Sequence, residues 1–225
     1  MKGTRFSLII LSFALILTFL PAPKKAHPAE GKLPEMKTSD VVYPDMEVVL
    51  RTTVLDRTGH RVSTRQRIHR SGYKVRYENL DSSSRDIWIV DYESKREVRI
   101  HERDKIFFSR GVGHSSTLRA AREGLIPLFK FSEVRVRRVL ITEMDVSGHP
   151  CEVVLVIREL KDKEDVGAEY TLQWEALDLD RQPLRVAFHT VNDSLVVLDY
   201  EDMRMEAVSP DLLSPPEDYL NLSPF

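Results

Sequence analysis

Glu169-Tyr170-Thr171-Leu172-Gln173-Trp174-Glu175-Ala176 decides the fold class. Tyr170, Leu172, Trp174 and Ala176 alternate with Glu169, Thr171, Gln173 and Glu175. That period of two belongs to a half-buried β-strand. The pattern recurs on both sides of this stretch. Met46, Val48, Leu50 and Val54 alternate with Glu47, Arg51 and Thr53. Tyr73, Val75 and Tyr77 alternate with Lys74, Arg76 and Glu78, and Val98 and Ile100 with Glu97, Arg99 and His101. Met203, Met205 and Ala207 alternate with Asp202, Arg204 and Glu206. Cys151, Val153, Leu155 and Ile157 share a face, and Val154 and Val156 make the other face apolar too.

Turn chemistry separates these runs. Asp56-Arg57-Thr58-Gly59, Ser71-Gly72, Asp81-Ser82-Ser83-Ser84, Ser147-Gly148-His149-Pro150, Asp180-Arg181-Gln182-Pro183 and Asn192-Asp193-Ser194 fall where strand patterns stop. About ten or eleven antiparallel strands follow, joined mostly by short links, a meander rather than a strand–helix–strand series. One interruption stands in the middle. After Gly111-Val112-Gly113-His114, Ser115 or Ser116 can cap a short helix over 116–125, with Arg119 and Glu123 four apart. The apolar stretch Leu125-Ile126-Pro127-Leu128-Phe129 follows. A lone helix beside a large curved sheet packs in or over its apolar concave face. The fold class is therefore mainly β, a large antiparallel sheet with one mid-chain helix.

The ends read differently from the middle. Lys2 and Arg5 precede an uncharged apolar run from Phe6 to Leu20, the length of a signal-peptide core and short for a membrane span. Five prolines fall in 21–44 and four in 210–224, but only Pro127, Pro150 and Pro183 lie between 45 and 209. The expected organisation is a signal peptide over 1–29, a proline-containing linker over 30–44, and one body with a C-terminal loop over 45–225. Without residues 1–29 the chain has 29 basic residues against 35 acidic, a formal charge of −6. Periplasmic export is the expectation, with an uncleaved inner-membrane anchor as its alternative.

Composition excludes several classes. At 225 residues and a net charge of −2 the chain is one domain with a real core and no general affinity for nucleic acid. Cys151 is the single cysteine, which excludes an internal disulfide and any multi-cysteine metal site. It stands in an apolar strand, as an inert buried thiol does. Gly111-x-Gly113 lacks the third glycine and the strand–helix frame of a dinucleotide fingerprint. His114-Ser115 is no nucleophile elbow, and the histidines lack metal-ligand spacing. No enzyme, cofactor or metal is expected, and the chain reads as a monomer.

Two constellations remain. The aromatics Tyr73, Tyr77, Trp88, Phe107, Phe108, Phe129, Trp174 and Phe188 fall on the apolar sides of their strands. They either pack a core or line a hydrophobic cavity. Arg135, Arg137 and Arg138, with Arg65, Arg67 and Arg70, form basic stripes. These are either a solvated sheet face or a docking patch.

Two local stretches carry a family resemblance. Asp91-Tyr92-Glu93-Ser94-Lys95-Arg96-Glu97-Val98 is similar to a hairpin, and Ser209-Pro210-Asp211-Leu212-Leu213-Ser214-Pro215-Pro216-Glu217-Asp218-Tyr219 to a chain ending. Both belong to the bacterial periplasmic lipoprotein carrier LolA and its outer-membrane lipoprotein-sorting relatives, and the likeness spans residues 40–220. The proline-bounded Leu33–Pro44 stands where that family has an amphipathic helix, and the face over 62–70 is unusually basic. The resemblance implies that the sheet is an incompletely closed antiparallel β-barrel, one that buries a lipid or an acylated lipoprotein. Its cavity and lid would use Tyr73, Tyr77, Trp88, Leu118, Leu125, Ile126, Leu128, Phe129, Trp174 and Phe188. Arg135, Arg137 and Arg138 would dock an inner- or outer-membrane envelope protein. A stress-sensing regulatory domain with a filled core shares the fold and stands as the alternative.

Overall fold

The computed structural model describes residues 44–82, 86–113, 134–160, 168–190 and 192–223, together with Ala120 and Leu125. The expected signal peptide and nearly all of the expected linker lie outside the described residues. So does the helix expected over 116–125, except for Ala120 and Leu125.

Among the described residues, twelve strands form one sheet, one or two more than the sequence pattern counts. They are β1 (Met46–Leu55), β2 (Arg61–Ser71), β3 (Lys74–Asn79), β4 (Asp86–Asp91), β5 (Arg96–His101), β6 (Ile106–Gly111), β7 (Val134–Val146), β8 (His149–Leu160), β9 (Glu169–Ala176), β10 (Gln182–His189), β11 (Leu195–Arg204) and β12 (Leu220–Asn221). Their order is β12-β6-β5-β4-β3-β2-β1-β11-β10-β9-β8-β7. Every pair is antiparallel except β12 with β6. β12 and β7 stand at opposite ends of the order, so the sheet is an unclosed barrel. The strand missed in sequence is β12, two residues long and too short for any periodicity to show.

Two meanders therefore meet along one seam. β1 to β6 form the first and β7 to β11 the second, joined by β1 pairing with β11 from Leu55↔Leu195 to Glu47↔Arg204. Tight turns make each meander possible. Ser147 at φ 52 and Gly148 at φ 88 both occupy the left-handed region, as a two-residue hairpin turn requires. In the β1–β2 turn the Asp56 carboxylate accepts from the backbone N–H of Thr58 at 2.8 Å and of His60 at 2.9 Å.

Strand alternation gives the sheet two faces, and each carries a core. On the first, Met46, Val48, Leu50, Ile68, Val75, Val90, Val186, Phe188, Val196 and Leu198 pack with Ala120 and Leu125. We call this the Leu125 face. On the other, Cys151, Val153, Leu172, Trp174 and Ala187 form a second cluster across β8, β9 and β10. We call this the Trp174 face. Burial on both sides corrects the half-buried reading of Glu169–Ala176, because Thr171, Gln173 and Glu175 are also buried.

After β11 the chain straps back across the Trp174 face of the first meander. The backbone N–H of Val208 donates to Asp45, and Arg76 donates to the carbonyl of Leu212 at 3.0 Å. Tyr219 then packs on Ile87, Ile89 and Ile100. The backbone N–H of Leu220 and of Leu222 donate to the carbonyls of Lys105 and Phe107, each at 2.9 Å. The strap thus covers an apolar patch and the outer edge of β6 together. A chain ending at Ser209 is expected to lose about 2–4 kcal/mol and to associate through the bared edge. Urea unfolding and size-exclusion chromatography check this, and an unchanged midpoint with monomeric elution would refute it.

Candidate functional site

The Leu125 face is apolar on one half and polar on the other. The apolar half spans β1 to β4, β10 and β11. Val48, Val75 and Leu125 are each 0% exposed at its centre. Tyr73 and Tyr77 pack against it while partly buried, and the Tyr77 hydroxyl lies 2.8 Å from that of Tyr92. Phe188 is buried in the same cluster. Trp88 stands opposite Tyr77 in the β3–β4 register, half-buried, with the Arg99 guanidinium 6.0 Å from its ring centroid.

The sequence-derived cavity set is therefore only partly brought together. Tyr73, Tyr77, Leu125 and Phe188 converge, and Trp88 lies on the same face toward β5. Trp174 does not join them. It pairs with Arg185 across the β9–β10 register, while Phe188 pairs with Thr171. Side chains one residue apart on a strand point to opposite faces, so Trp174 and Phe188 belong to different cores. Leu118, Ile126, Leu128 and Phe129 lie outside the described residues.

Arg70 stitches this face together and corrects its reading as part of a surface stripe. It is 0% exposed. Its guanidinium donates to the carbonyl of Pro44 at 2.9 Å, to Gln182 Oε1 at 3.0 Å and to the carbonyl of Leu125 at 3.4 Å. The segment before β1, the start of β10 and the connector between β6 and β7 thus share one cation. Alternation along β2 carries the signal: Arg70 has the parity of the buried Ile68, not of Arg65 and Arg67.

The polar half lies on β7 to β9. Arg138 donates to the Glu175 carboxylate. Arg181 holds Glu152 at 2.5 Å and 3.3 Å, and Arg158 donates to Thr171 Oγ1 at 2.5 Å. Burial pushes the Glu175 carboxyl above its ordinary value, opposed by Arg138 and Arg181. Of the expected docking arginines, Arg138 is engaged inward and Arg137 pairs with Glu159 at 3.0 Å; the Arg135 side chain lies outside the description. Neither described guanidinium is a free surface cation.

The Trp174 face carries an ion-pair ladder across the seam. Asp199 lies 2.6 Å from Arg185 and 3.3 Å from Arg51. Glu47 and Glu78 flank His69 at 3.9 Å and 3.8 Å, and burial holds the His69 imidazole below its ordinary pKa. Among the described residues, no group of three or more His, Cys, Asp or Glu side chains is placed to hold a metal ion. None of their helices is long and apolar enough to cross a membrane.

Two titrations follow. Glu175 binds its proton more tightly folded than unfolded. Its contribution to stability is therefore most favourable in acid and falls as pH rises from the ordinary glutamate value of 4.5 through the raised one. Glu175→Gln is expected to remove that fall, read as a flatter plot of unfolding free energy against pH; an unchanged slope would count against it. Burial pushes the Cys151 thiol up to about 11. A disulfide reagent at about pH 8 is expected to leave Cys151 unlabelled in the native chain and to label it in denaturant; equal labelling in both would show the thiol open.

No family model matches the chain, and no curated protein matches it. Solved structures do. An uncharacterized conserved protein from Thermus thermophilus is similar with a TM-score of 0.48 and 10% identity, over 80% of this chain and 91% of that one. A LolA superfamily protein from Nitrosomonas europaea has a TM-score of 0.42 and 10% identity, over 76% and 90%. The Mycobacterium tuberculosis lipoprotein LppX has a TM-score of 0.41 and 12% identity, over 72% and 88%. A protein of the superfamily that the sequence resembles is among these similar structures, at 10% identity.

Proposed function

We propose that this chain is a non-enzymatic periplasmic protein that buries a lipid, or the acyl chain of a lipidated protein, between the Leu125 face and residues 118–129. One observation carries the reading. The apolar sheet face is covered by a side chain from the connector, Leu125, rather than by a second sheet. An acyl chain would replace Leu125 with a group of the same chemistry. Each buried CH₂ contributes about 0.8 kcal/mol, so a sixteen-carbon chain supplies roughly 10 kcal/mol before ordering costs. The polar half on β7 to β9 suits a head group or the protein that bears the acyl chain. In sequence Gly111 and Gly113 precede the lid segment and Gly124 lies within it, and all three suit a lid that moves.

A second reading has its own observation. Leu125, Val48 and Val75 are each 0% exposed, so side chains fill the face. On that reading the chain is an envelope protein-docking or stress-sensing domain, with the connector a permanent plug.

Native mass spectrometry of the secreted chain, with organic extraction, separates the two. A co-purifying lipid or acylated peptide supports carriage and identifies the cargo. A clean apo mass with no uptake on lipid challenge supports docking. Leu125→Glu, checked for fold by circular dichroism beside Leu125→Ala, is expected to cut uptake at least about tenfold. Unchanged uptake in a folded Leu125→Glu variant would sink the lid.

A further inference from the structure

A cavity of about 530 Å³ opens on the Trp174 face, where the sheet splits. β10 and β11 pair only between Arg185↔Asp199 and His189↔Leu195. Beyond Arg185, β10 continues with β9 to Gln182, while β11 continues with β1 to Arg204. Both strands bulge at the split. The β9–β10 register shifts between Pro183 and Arg185, and the β1–β11 register shifts between Glu47 and Val49, across from Asp202. Asp202 takes φ 51 there, in the left-handed region. The β7–β8 turn closes one side with Val146, Ser147 and His149.

The charges lining this cavity are unevenly satisfied. Arg185 Nε donates to Asp199 at 2.6 Å, and Arg51 lies 3.3 Å from Asp199 and 3.0 Å from Glu201. These two cations and two carboxylates pair with one another, but the pairing uses only the Nε of Arg185 and leaves its Nη donors over. Three groups are left over among the described residues, and the buried Nε of Arg51 is one of them. The Nη groups of Arg185 have no hydrogen-bond acceptor, and the exposed Asp202 carboxylate has no donor. The buried Nε1 of Trp174, whose ring carries the Arg185 guanidinium at 5.9 Å, also lacks an acceptor. Val146, Leu184 and Met203 supply apolar wall.

A lone anion would meet the surplus carboxylate, and a lone cation would leave Arg185 unanswered. A solute with both charges answers both. We propose that this cavity binds a small zwitterion with an apolar side chain, an α-amino acid, its carboxylate on Arg185 and its ammonium on Asp202. The side chain packs on Val146, Leu184 and Met203. The volume falls in the range of small-molecule sites. This site lies on the sheet face opposite the proposed acyl site and stands independently of it.

The test uses the full chain labelled with ¹⁵N, titrated with leucine, with 4-methylpentanoate, which keeps only the carboxylate, and with 3-methylbutylamine, which keeps only the amine. The Trp174 indole resonance reports the site, and the Trp88 indole on the other face is the control. Leucine is expected to shift Trp174 saturably and to bind at least about fivefold more tightly than either analogue. Asp202→Asn removes the charge at an exposed position whose left-handed backbone asparagine tolerates. It is expected to weaken leucine about fivefold and to bind 4-methylpentanoate as well as or better than the unsubstituted chain, because the repelling carboxylate is gone. No saturable shift with leucine, equal binding of either analogue, or wild-type leucine affinity in Asp202→Asn would each overturn the proposal.

Discussion

The pairing of β1 with β11 is the constraint on which the rest of the molecule depends. It joins the two meanders along one antiparallel seam, so the ends of the sheet are β6 with β12 on one side and β7 on the other. The chain must pass directly from β6 to β7, between the two strands nearest those ends. The connector that does so delivers Ala120 and Leu125 into the core of one face. The edges are treated differently. The C-terminal strap covers β6 with β12. The thirteen-residue β7 leaves Val139 and Ile141 43% exposed. β7 also bulges between Leu140 and Thr142, and bulges and charged side chains discourage edge-to-edge association.

Polar groups inside the sheet are placed where strands must be held rather than where solvent is near. Arg70 is fully buried and gives its hydrogen bonds to three segments distant in sequence. Glu175 is buried on β9 and takes its partner from β7, two strands away in the sheet. A buried ion is costly unless its hydrogen bonds are made, and breaking one partner of such a pair costs far more than the pair contributes. Both networks therefore act as registry devices between segments that sequence proximity does not bring together.

Two cores on opposite faces divide the functional possibilities. The Leu125 face is an apolar surface on which Ala120 and Leu125 of the connector are packed. The Trp174 face is an ion-pair ladder over the seam and an apolar cluster over β8 to β10, with the cavity between them. Outside the bulges, adjacent strand residues point to opposite faces, so a substitution on one face acts first on the contacts of that face. That separation makes the two proposals testable independently in one chain.

Sequence periodicity alone determined most of the strands, their turns and the mainly antiparallel sheet. Strand formation follows local alternation, and alternation is written residue by residue at Glu169–Ala176 and Met46–Val54. It also placed Tyr73, Tyr77 and Phe188 on apolar sides correctly. Periodicity does not say which of two faces is covered, or by what. Thr171, Gln173 and Glu175 look like a solvent face because they are polar, yet tertiary structure buries them and supplies partners such as Arg138 and Arg158. Trp174 and Phe188 look equivalent because each lies on the apolar side of its own strand. Only the β9–β10 register shows that those sides are opposite. Arg70 reads as surface charge until Pro44, Leu125 and Gln182 arrive from three places in the chain. Long-range register and face coverage were decided in three dimensions, because both depend on contacts between segments that no local pattern encodes.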